Sequence, residues 1–366
     1  MNADRRTGYA LPQATDELWA DIADTPSILV DLDVVEANIE NTARHLAERG
    51  LANRPHIKTH KLPDLAHAQI AAGAAGVTCQ TLFEAEVMAD AGISDILISY
   101  NVLGAAKHKR LADLAARAKI TVTADSAEVV VGLSGAMSAN GAAIDVLVEL
   151  DCGMKRCGVR SADEAAALAT LIDGSPGLTF AGVMGYPPPD NGRAAAAALA
   201  SAASACRNAG LDVRTVSSGG TPDLRYVEAD GVMTEYRPGS YIYNDRSLVA
   251  RGACTEADCA LTVLTTVIGV YGSRITLDAG SKSLSADLFG LTGHGLIRGL
   301  AGADIHALSE EHGHVLLGSE KPPRVGDRLR VIPNHACVVT HLFDEVILVR
   351  GDRFAARKRV EARGRG

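Results

Sequence analysis

The chain has 366 residues, of which 47% are hydrophobic and 22% are charged, and its formal net charge is −8. This composition excludes a globally disordered chain, because it supplies enough apolar side chains for a large core. The length predicts two domains, or one large barrel with a smaller module, and the net negative charge argues against a nucleic-acid partner.

The cysteines and the N-terminal residues indicate a cytoplasmic protein. The seven cysteines follow no repeating spacing, so they do not predict a disulfide framework. Residues 1–25 carry charged side chains and lack the apolar centre of a secretory signal. No uncharged apolar run reaches the ~18 residues that a membrane-spanning helix requires. We therefore expect reduced thiols and no membrane partner.

Eight short runs rich in β-branched residues alternate with Ala-rich amphipathic stretches along the first two thirds of the chain. These runs predict strands at residues 27–32, 54–58, 76–80, 95–99, 120–124, 145–150, 180–186 and 214–218. Helical patterns of ~10–15 residues separate them, which is typical of βαβ units and a parallel sheet. Eight such strands predict a (β/α)8 barrel. A doubly wound open sheet is less favoured, because no Gly-x-Gly-x-x-Gly follows the first strand.

Beyond residue 243 the pattern changes, and strand follows strand with few helices between them. The β-like runs lie at residues 261–271, 274–278, 314–317, 328–332 and 338–349. This pattern predicts a mostly antiparallel β domain. We therefore divide the chain into a barrel at residues 25–245 and a β domain at residues 246–366. Residues 1–24 form an N-terminal segment that is a candidate to join the β domain.

A lysine, Lys58, falls at the carboxyl end of the second predicted strand. Barrel active sites form at that face. Partial burial there lowers the pKa of a lysine and makes its neutral amine available for a Schiff base. From position alone, a surface lysine with its stem along the barrel rim is the commoner case. Lys61, three residues further on, is expected to be solvated.

Glycines and hydroxyl groups follow the last predicted barrel strand. Gly219 and Gly220 allow backbone N–H groups to approach an anion closely, and the hydroxyls of Ser218 and Thr221 add donors. The loops after strands seven and eight of a barrel commonly hold phosphate. Residues 237–241 form a second loop of this kind, which could close over the same phosphate. Taken alone, a Ser-Ser-Gly-Gly-Thr run is more often an ordinary turn.

His335 and Cys337 lie between two β-like runs. On a strand, residues two apart point to the same face, so this imidazole and this thiolate could address one ion, and both groups suit zinc. Taken alone, such a pair more often belongs to an ordinary core. His341 shares their parity but would lie about 13 Å from Cys337 along an extended strand, so it is not counted as a ligand.

Three segments resemble fold type III pyridoxal-phosphate enzymes, which are alanine racemase-like barrels with a C-terminal β domain. They are Pro-His-Ile-Lys-Thr-His-Lys at 55–61, Asp-x-Gly-Met-x-Arg-x-Gly at 151–158 and Arg-Pro-Gly-Ser-Tyr at 237–241. Within this class the sequence is most similar to the D-threonine aldolase and D-serine dehydratase family, over residues 25–353.

The resemblance implies a role for each matching position. Lys58 would carry pyridoxal phosphate covalently, Arg156 would hydrogen-bond the ring phenolate oxygen, and Tyr186 would lie near the ring nitrogen. Gln80 would line the ring pocket. The cofactor phosphate would be held by Ser218, Gly219, Gly220, Thr221, Gly239, Ser240 and Tyr241.

The resemblance also implies a metal. The family keeps a His-x-Asp or His-x-Cys metal pair near this point, so His335 and Cys337 would bind a divalent ion: zinc, manganese or magnesium. A Glu-Glu-His-Gly run is typical of the family too, and its His312 would orient the substrate, unless the run is an ordinary polar turn. One departure is the loop after Tyr186, which lacks an expected histidine. Asp190 or a water on the metal would replace that histidine, or the chemistry differs.

These features predict a lyase that cleaves D-configured 3-hydroxy-2-amino acids to glycine and an aldehyde, the D-threonine aldolase reaction. The alternative is a D-serine or D-3-hydroxyaspartate dehydratase, which releases a 2-oxo acid and ammonia, and which the cysteine form of the metal pair favours. An amino-acid racemase is less favoured because racemisation needs no metal. A non-enzymatic cofactor-binding protein is less favoured because such proteins are normally the barrel alone. By family analogy we expect a homodimer.

Overall fold

A computed structural model describes residues 9–228 and 231–364; the first eight residues of the predicted N-terminal segment, residues 229–230 and residues 365–366 lie outside the described residues. Two sheets form the framework of the described chain. One has eight strands that all run parallel, and the other has nine strands that are mostly antiparallel. The predicted fold class, a (β/α)8 barrel followed by a mostly antiparallel β domain, is confirmed.

The parallel sheet curls into the barrel. Its strands in chain order are Ala52–Asn53, Val77–Cys79, Asp95–Ile98, Lys119–Ala124, Ile144–Leu150, Leu178–Gly185, Thr215–Ser218 and Glu235–Tyr236. The last strand pairs with the first, and an isolated bridge from His56 to Thr78 joins the first to the second. The carboxyl ends of all eight strands therefore meet at one mouth.

Helices surround the barrel and connect the strands of both sheets. The longer helices are Leu32–Ala47, Pro63–Ala71, Leu82–Asp90, Ala105–Ala115, Ala127–Ala139, Ala162–Asp173 and Gly192–Asn208, and the short ones are Trp19–Ile22, Arg246–Ala250, Ser281–Leu284 and Ala336–Leu342. Several of these helices begin at a residue whose side chain caps the first turn. The hydroxyls of Thr81 and Ser161, for example, accept hydrogen bonds from the N–H groups three residues later. None of the described helices is long and apolar enough to cross a bilayer.

The second sheet forms the β domain. Its strands are Ser27–Asp31, Leu261–Tyr271, Arg274–Leu277, Gly295–Ile297, Asp304–Leu308, Gly313–Leu316, Arg328–Pro333, Glu345–Arg350 and Arg353–Arg359. Residues near the N-terminus also join it, because the N–H of Thr15 donates to Phe354 and the N–H of Trp19 donates to Asp352.

The structure corrects two strands predicted at the start of the barrel. The run at 27–32 is not a barrel strand. It lies in the β domain, where Leu29 pairs with Thr262 on one side and Ile347 on the other. The strand predicted at 54–58 ends at Asn53 instead, and Lys58 lies in a short 3₁₀ helix, Ile57–Thr59.

Two further corrections concern elements later in the chain. The eighth barrel strand is the two-residue run Glu235–Tyr236, which is too short to give a periodic signal. The run at 338–349, predicted as one strand, overlaps the helix Ala336–Leu342 and then the strand Glu345–Arg350. Val339 and Thr340 are buried, and a β-branched run can be buried in a helix as well as in a strand. The sequence pattern therefore did not distinguish the two elements.

Candidate active site

Lys58 lies at the barrel mouth in the 3₁₀ helix that follows the first barrel strand. Its Nζ lies 3.4 Å from Oε1 of Gln80, which follows the second barrel strand. Burial lowers the pKa of the Lys58 ammonium; Cys337 opposes that shift, and Arg156 adds to it. The site therefore favours the neutral, nucleophilic form of the amine.

His56 is a site residue that the sequence analysis missed. Its Nδ1 accepts a hydrogen bond from the N–H of Lys58 at 3.4 Å, so its Nε2 carries the proton toward Oε1 of Gln80 at 3.2 Å. Burial lowers the pKa of His56 well below its usual range, and Lys58 lowers it further. His56 and Lys58 are two residues apart, which would place them on the same face of the strand predicted here. This spacing was the available indication in the sequence.

Lys61 is buried rather than solvated, which corrects the prediction. Its backbone has a φ of 59°, which turns the side chain back into the protein, where Nζ forms an ion pair with Glu84. The other oxygen of Glu84 accepts the N–H of Gln80 at 2.6 Å. The pair therefore holds the backbone of Gln80 beside Lys58.

Arg156 and Tyr186 meet on the opposite side of the mouth. The guanidinium of Arg156 lies over the Tyr186 ring, 5.4 Å from its centroid. Burial raises the pKa of the Tyr186 phenol although Arg156 opposes the shift, so the phenol stays neutral. Asp190, which could have replaced the expected histidine, points away to Arg251 at 3.3 Å and is exposed.

The two predicted phosphate loops follow the seventh and eighth barrel strands and contact each other. Oγ1 of Thr221 accepts the N–H of Gly239 at 3.2 Å and the N–H of Tyr241 at 3.1 Å. Gly219 packs so tightly that a Cβ there would lie 2.7 Å from the carbonyl oxygen of Arg237. Gly220 has a φ of 139°, a conformation that favours glycine.

Backbone donors in these loops fit an anion. Among the hydrogen bonds of the described residues, the N–H groups of Gly219, Gly220 and Ser240 donate to no other atom of the chain. Buried or half-buried N–H groups require an acceptor, and a phosphate would supply it. Ser218 is buried beside them. Tyr241 offers no free backbone donor, because its N–H donates to Thr221, and its buried hydroxyl accepts a hydrogen bond from Gln69 at 2.9 Å.

A buried ionic network supports the loops from inside the barrel. Arg237 is buried, and its guanidinium donates to Ser217 and, at 2.8 Å, to the carbonyl of Gly185. Glu235 accepts from Ser217 at 2.6 Å and from Arg54 at 2.5 Å. These contacts hold the ends of strands six, seven and eight together. The sequence pattern alone did not predict this role for Arg237.

His335 and Cys337 come together, but not on a strand as predicted. His335 is the residue before the helix Ala336–Leu342, and Cys337 is the second residue of that helix. Burial opposes ionisation of both, yet their mutual attraction raises the pKa of His335 to about 10 and lowers that of the Cys337 thiol. Sγ of Cys337 lies 3.1 Å from Oγ1 of Thr59, the residue after Lys58.

The donor set fits a divalent ion. Nδ1 of His335 lies 2.9 Å from Asp245, so Nε2 would be left to ligate an ion together with the sulfur of Cys337. Two protein ligands would leave positions on an ion for substrate oxygens.

His312 is not brought to the other residues by a direct contact. It is exposed, in the turn between the strands Asp304–Leu308 and Gly313–Leu316. Its carbonyl accepts from Ser309 at 2.9 Å, and among the described residues no hydrogen bond or ring contact joins its side chain to Lys58 or Cys337. Its role stays a prediction.

Comparison with known protein families shows where this site belongs. The family described as alanine racemase, N-terminal domain, matches residues 30–247, and the family described as putative serine dehydratase domain matches residues 260–349. The chain belongs to the alanine racemase-like family of fold type III pyridoxal-phosphate enzymes.

Its relatives within this family are lyases. The chain is 36% identical to a D-threonine aldolase from Arthrobacter sp., over 98% of this chain and 97% of that one. It is 33% identical to a D-threo-3-hydroxyaspartate dehydratase from Delftia sp. (strain HT23), over 86% of this chain and 91% of that one. Like them, it is a pyridoxal-phosphate-dependent lyase.

Solved structures of such lyases have the same fold as this chain. A D-threonine aldolase from Filomicrobium marinum has a TM-score of 0.87 at 34% identity, covering 97% of this chain and 99% of that one. Two alanine variants of a D-threo-3-hydroxyaspartate dehydratase, at a histidine and at a cysteine two positions later, have TM-scores of 0.85 at 30% identity. They cover 92% of this chain and 94% and 97% of those chains. The cysteine variant is in a metal-free form.

Proposed function

We propose that the protein is a metal-dependent aldolase that cleaves D-3-hydroxy-2-amino acids to glycine and an aldehyde. The observation that carries this proposal is the 3.1 Å contact between Thr59 and Cys337. It brings the His335–Cys337 pair next to Lys58. A substrate whose amino group displaces Lys58 from the cofactor would therefore present its 3-hydroxyl to the pair.

The proposed chemistry divides between the bound groups and the chain. Pyridoxal phosphate, when bound, supplies an electron sink at Cα, and a divalent ion supplies a Lewis acid for the 3-hydroxyl. Arg156 would orient the phenolate side of the ring, and the free N–H groups of Gly219, Gly220 and Ser240 would hold the phosphate. The amine of Lys58, whose pKa burial lowers, would take up a proton from the substrate and return it to Cα after cleavage.

The aldolase reading is supported by similarity along the whole chain. The Arthrobacter aldolase matches 98% of the chain, whereas the Delftia dehydratase matches 86%. We place Tyr186 near the ring nitrogen, where its phenol, whose pKa burial raises, would not enforce protonation of that nitrogen. A weaker electron sink makes help from a metal at the 3-hydroxyl more valuable, and this is the step that the retro-aldol reaction needs.

A dehydratase is the second candidate, and Cys337 favours it. The solved dehydratase variants carry substitutions at a histidine and a cysteine with the spacing of His335 and Cys337, and the cysteine variant is metal-free. In this case Lys58 would remove the proton at Cα, and His335 and Cys337 would hold the ion that supplies a Lewis acid for the departing hydroxyl.

One assay separates the two candidates. Purified enzyme with pyridoxal phosphate and a divalent ion is incubated with D-threonine, D-serine and D-3-hydroxyaspartate, and glycine and ammonia are measured. We expect glycine from D-threonine, in step with acetaldehyde. Ammonia as the main product, with little glycine from any substrate, would replace the aldolase by the dehydratase.

We also propose that the active form is a homodimer in which each β domain faces the barrel mouth of the partner. Exposed apolar side chains support this: Tyr100, Leu103 and Met154 lie on loops at the mouth and are 44%, 54% and 38% exposed. Sedimentation of the active enzyme should give twice the chain mass. An active monomer would contradict the proposal.

A further inference from the structure

A buried aspartate outside the predicted site stands behind the proposed metal pair. Asp245 is fully buried, and both of its carboxylate oxygens are occupied. Oδ2 accepts from Nδ1 of His335 at 2.9 Å and from the N–H of Ala336 at 3.1 Å. Oδ1 accepts from the hydroxyl of Ser247 at 2.6 Å and from the N–H of Leu248 at 3.2 Å.

This arrangement determines which nitrogen of His335 is free. A carboxylate only accepts hydrogen bonds, so Nδ1 must carry a proton, and the lone pair available to an ion is on Nε2. The ring cannot turn easily, because Phe289 stacks on it with ring centroids 4.3 Å apart and an interplanar angle of 11°. Asp245 on one edge and Phe289 on one face therefore define both the rotation and the tautomer of the ligand.

Asp245 also links the metal pair to the phosphate loop. It directly follows Asn244, whose N–H donates to Ser240 at 2.6 Å. The same carboxylate accepts N–H groups at the starts of two helices, Arg246–Ala250 and Ala336–Leu342. The spacing between the phosphate loop and His335 is thus set through one side chain.

We infer that Asp245 is the positioning residue of the metal site: it fixes His335 with Nε2 directed to the ion that Cys337 shares. The inference rests on the proposed function, because it requires a metal on that pair. In other metal sites, a carboxylate that accepts a hydrogen bond from the second ring nitrogen of a ligating histidine typically raises metal affinity about 10–100-fold.

The test is Asp245→Asn in enzyme loaded with pyridoxal phosphate. Asparagine keeps one accepting oxygen for Ser247 and Leu248, but its amide nitrogen cannot accept from His335. We expect zinc affinity, measured by competition with a chelator, to fall about 10–100-fold while the visible cofactor absorbance remains. Ser247→Ala is the matched control. It removes a hydrogen bond from the same carboxylate on the side away from His335, and zinc affinity should stay near that of the wild type.

The outcomes separate this inference from the proposed function. If His335→Ala loses zinc but Asp245→Asn binds it as tightly as the wild type, the inference is overturned and the metal pair stands. If zinc binding survives His335→Ala, the pair itself is wrong and the inference falls with it. A second measurement is nitrogen-15 NMR of the zinc-loaded wild type, which does not depend on the folding of any variant. Zinc on Nε2 with a proton on Nδ1 supports the role of Asp245, and zinc on Nδ1 overturns it.

Discussion

Lys58 shows how a single side chain acquires its chemistry from its surroundings. The residue type gives only an amine. Burial lowers its pKa, and the carbonyl oxygen of the Gln80 amide lies 3.4 Å from it. His56 and the Lys61–Glu84 pair in turn hold Gln80. Three residues near one another in sequence, at 56, 58 and 61, thus build one side of the site.

Removing this amine should remove the covalent cofactor link. We expect Lys58→Ala to lose the yellow Schiff-base absorbance of the purified enzyme and all measurable turnover, while its far-UV circular dichroism stays that of the wild type. Visible spectra recorded before and after addition of pyridoxal phosphate check this. An unchanged absorbance band in the variant would show that another group carries the cofactor.

The buried ion pair beside the site should matter for stability. Glu84→Gln leaves the ammonium of Lys61 buried without a counter-charge, which costs about 3–5 kcal/mol for a broken buried pair. The free energy of unfolding in urea measures the loss. Asp113→Asn is the control, because the Lys109–Asp113 pair is exposed, and it should change the same quantity by less than about 0.5 kcal/mol. Equal effects of the two substitutions would contradict the buried role of Glu84.

Short elements carry the site, and each takes its position from neighbours far along the chain. The 3₁₀ helix of Lys58, the two glycine loops and the helix that begins after His335 are each brief segments that follow a strand. Their positions depend on tight packing. At Gly219 the backbone of the second loop leaves no room for a side chain.

Adding one methyl group to this loop contact should disturb cofactor binding. In Gly219→Ala the new Cβ would meet the Arg237 backbone at 2.7 Å, so the loops must separate. We expect weaker retention of pyridoxal phosphate in dialysis and a lower melting temperature. Gly135→Ala is the control. It lies in the helix Ala127–Ala139 with no atom within 4 Å of the added group, and it should keep the cofactor and stabilise the protein by about 0.5–1 kcal/mol. Tight cofactor binding by Gly219→Ala would refute the packing argument.

The two sheets are interleaved along the chain, so the barrel is not an independent stretch of sequence. The strand Ser27–Asp31 precedes the barrel but pairs with Leu261–Tyr271 and Glu345–Arg350 in the β domain. Its Ile28, Leu29 and Val30 are fully buried there. The proposed active site also needs both parts, because Lys58 belongs to the barrel and Cys337 to the β domain.

A chain that ends at residue 245 should therefore fail to fold properly. It would expose Ile28, Leu29 and Val30, each of which contributes about 1.5–3 kcal/mol when buried. We expect it to aggregate or to unfold without cooperativity in thermal circular dichroism. Co-expression with residues 246–366 should restore soluble protein. Cooperative unfolding of the shortened chain alone would show that the barrel is autonomous.

Much of this architecture follows from local pattern. Six of the eight predicted barrel strands lie within two residues of their observed bounds, because β-branched runs and the helices between them reflect interactions among chain neighbours. The lysine, the glycine loops and the His-x-Cys pair were equally visible. Some errors fall where a strand of two residues gives no period, or where a β-branched run is buried as a helix.

Residue type and spacing were sufficient to indicate a barrel, a β domain and the kinds of side chain that a cofactor and a metal require. Contacts between distant segments decided the rest: that residues 27–31 leave the barrel, that Lys61 turns inward to Glu84, and that Asp245 stands behind His335. These partners lie between 23 and more than 200 residues apart in sequence, so no local periodic pattern predicts their pairing. Packing of the complete chain is what selects one partner among many of the same chemical type.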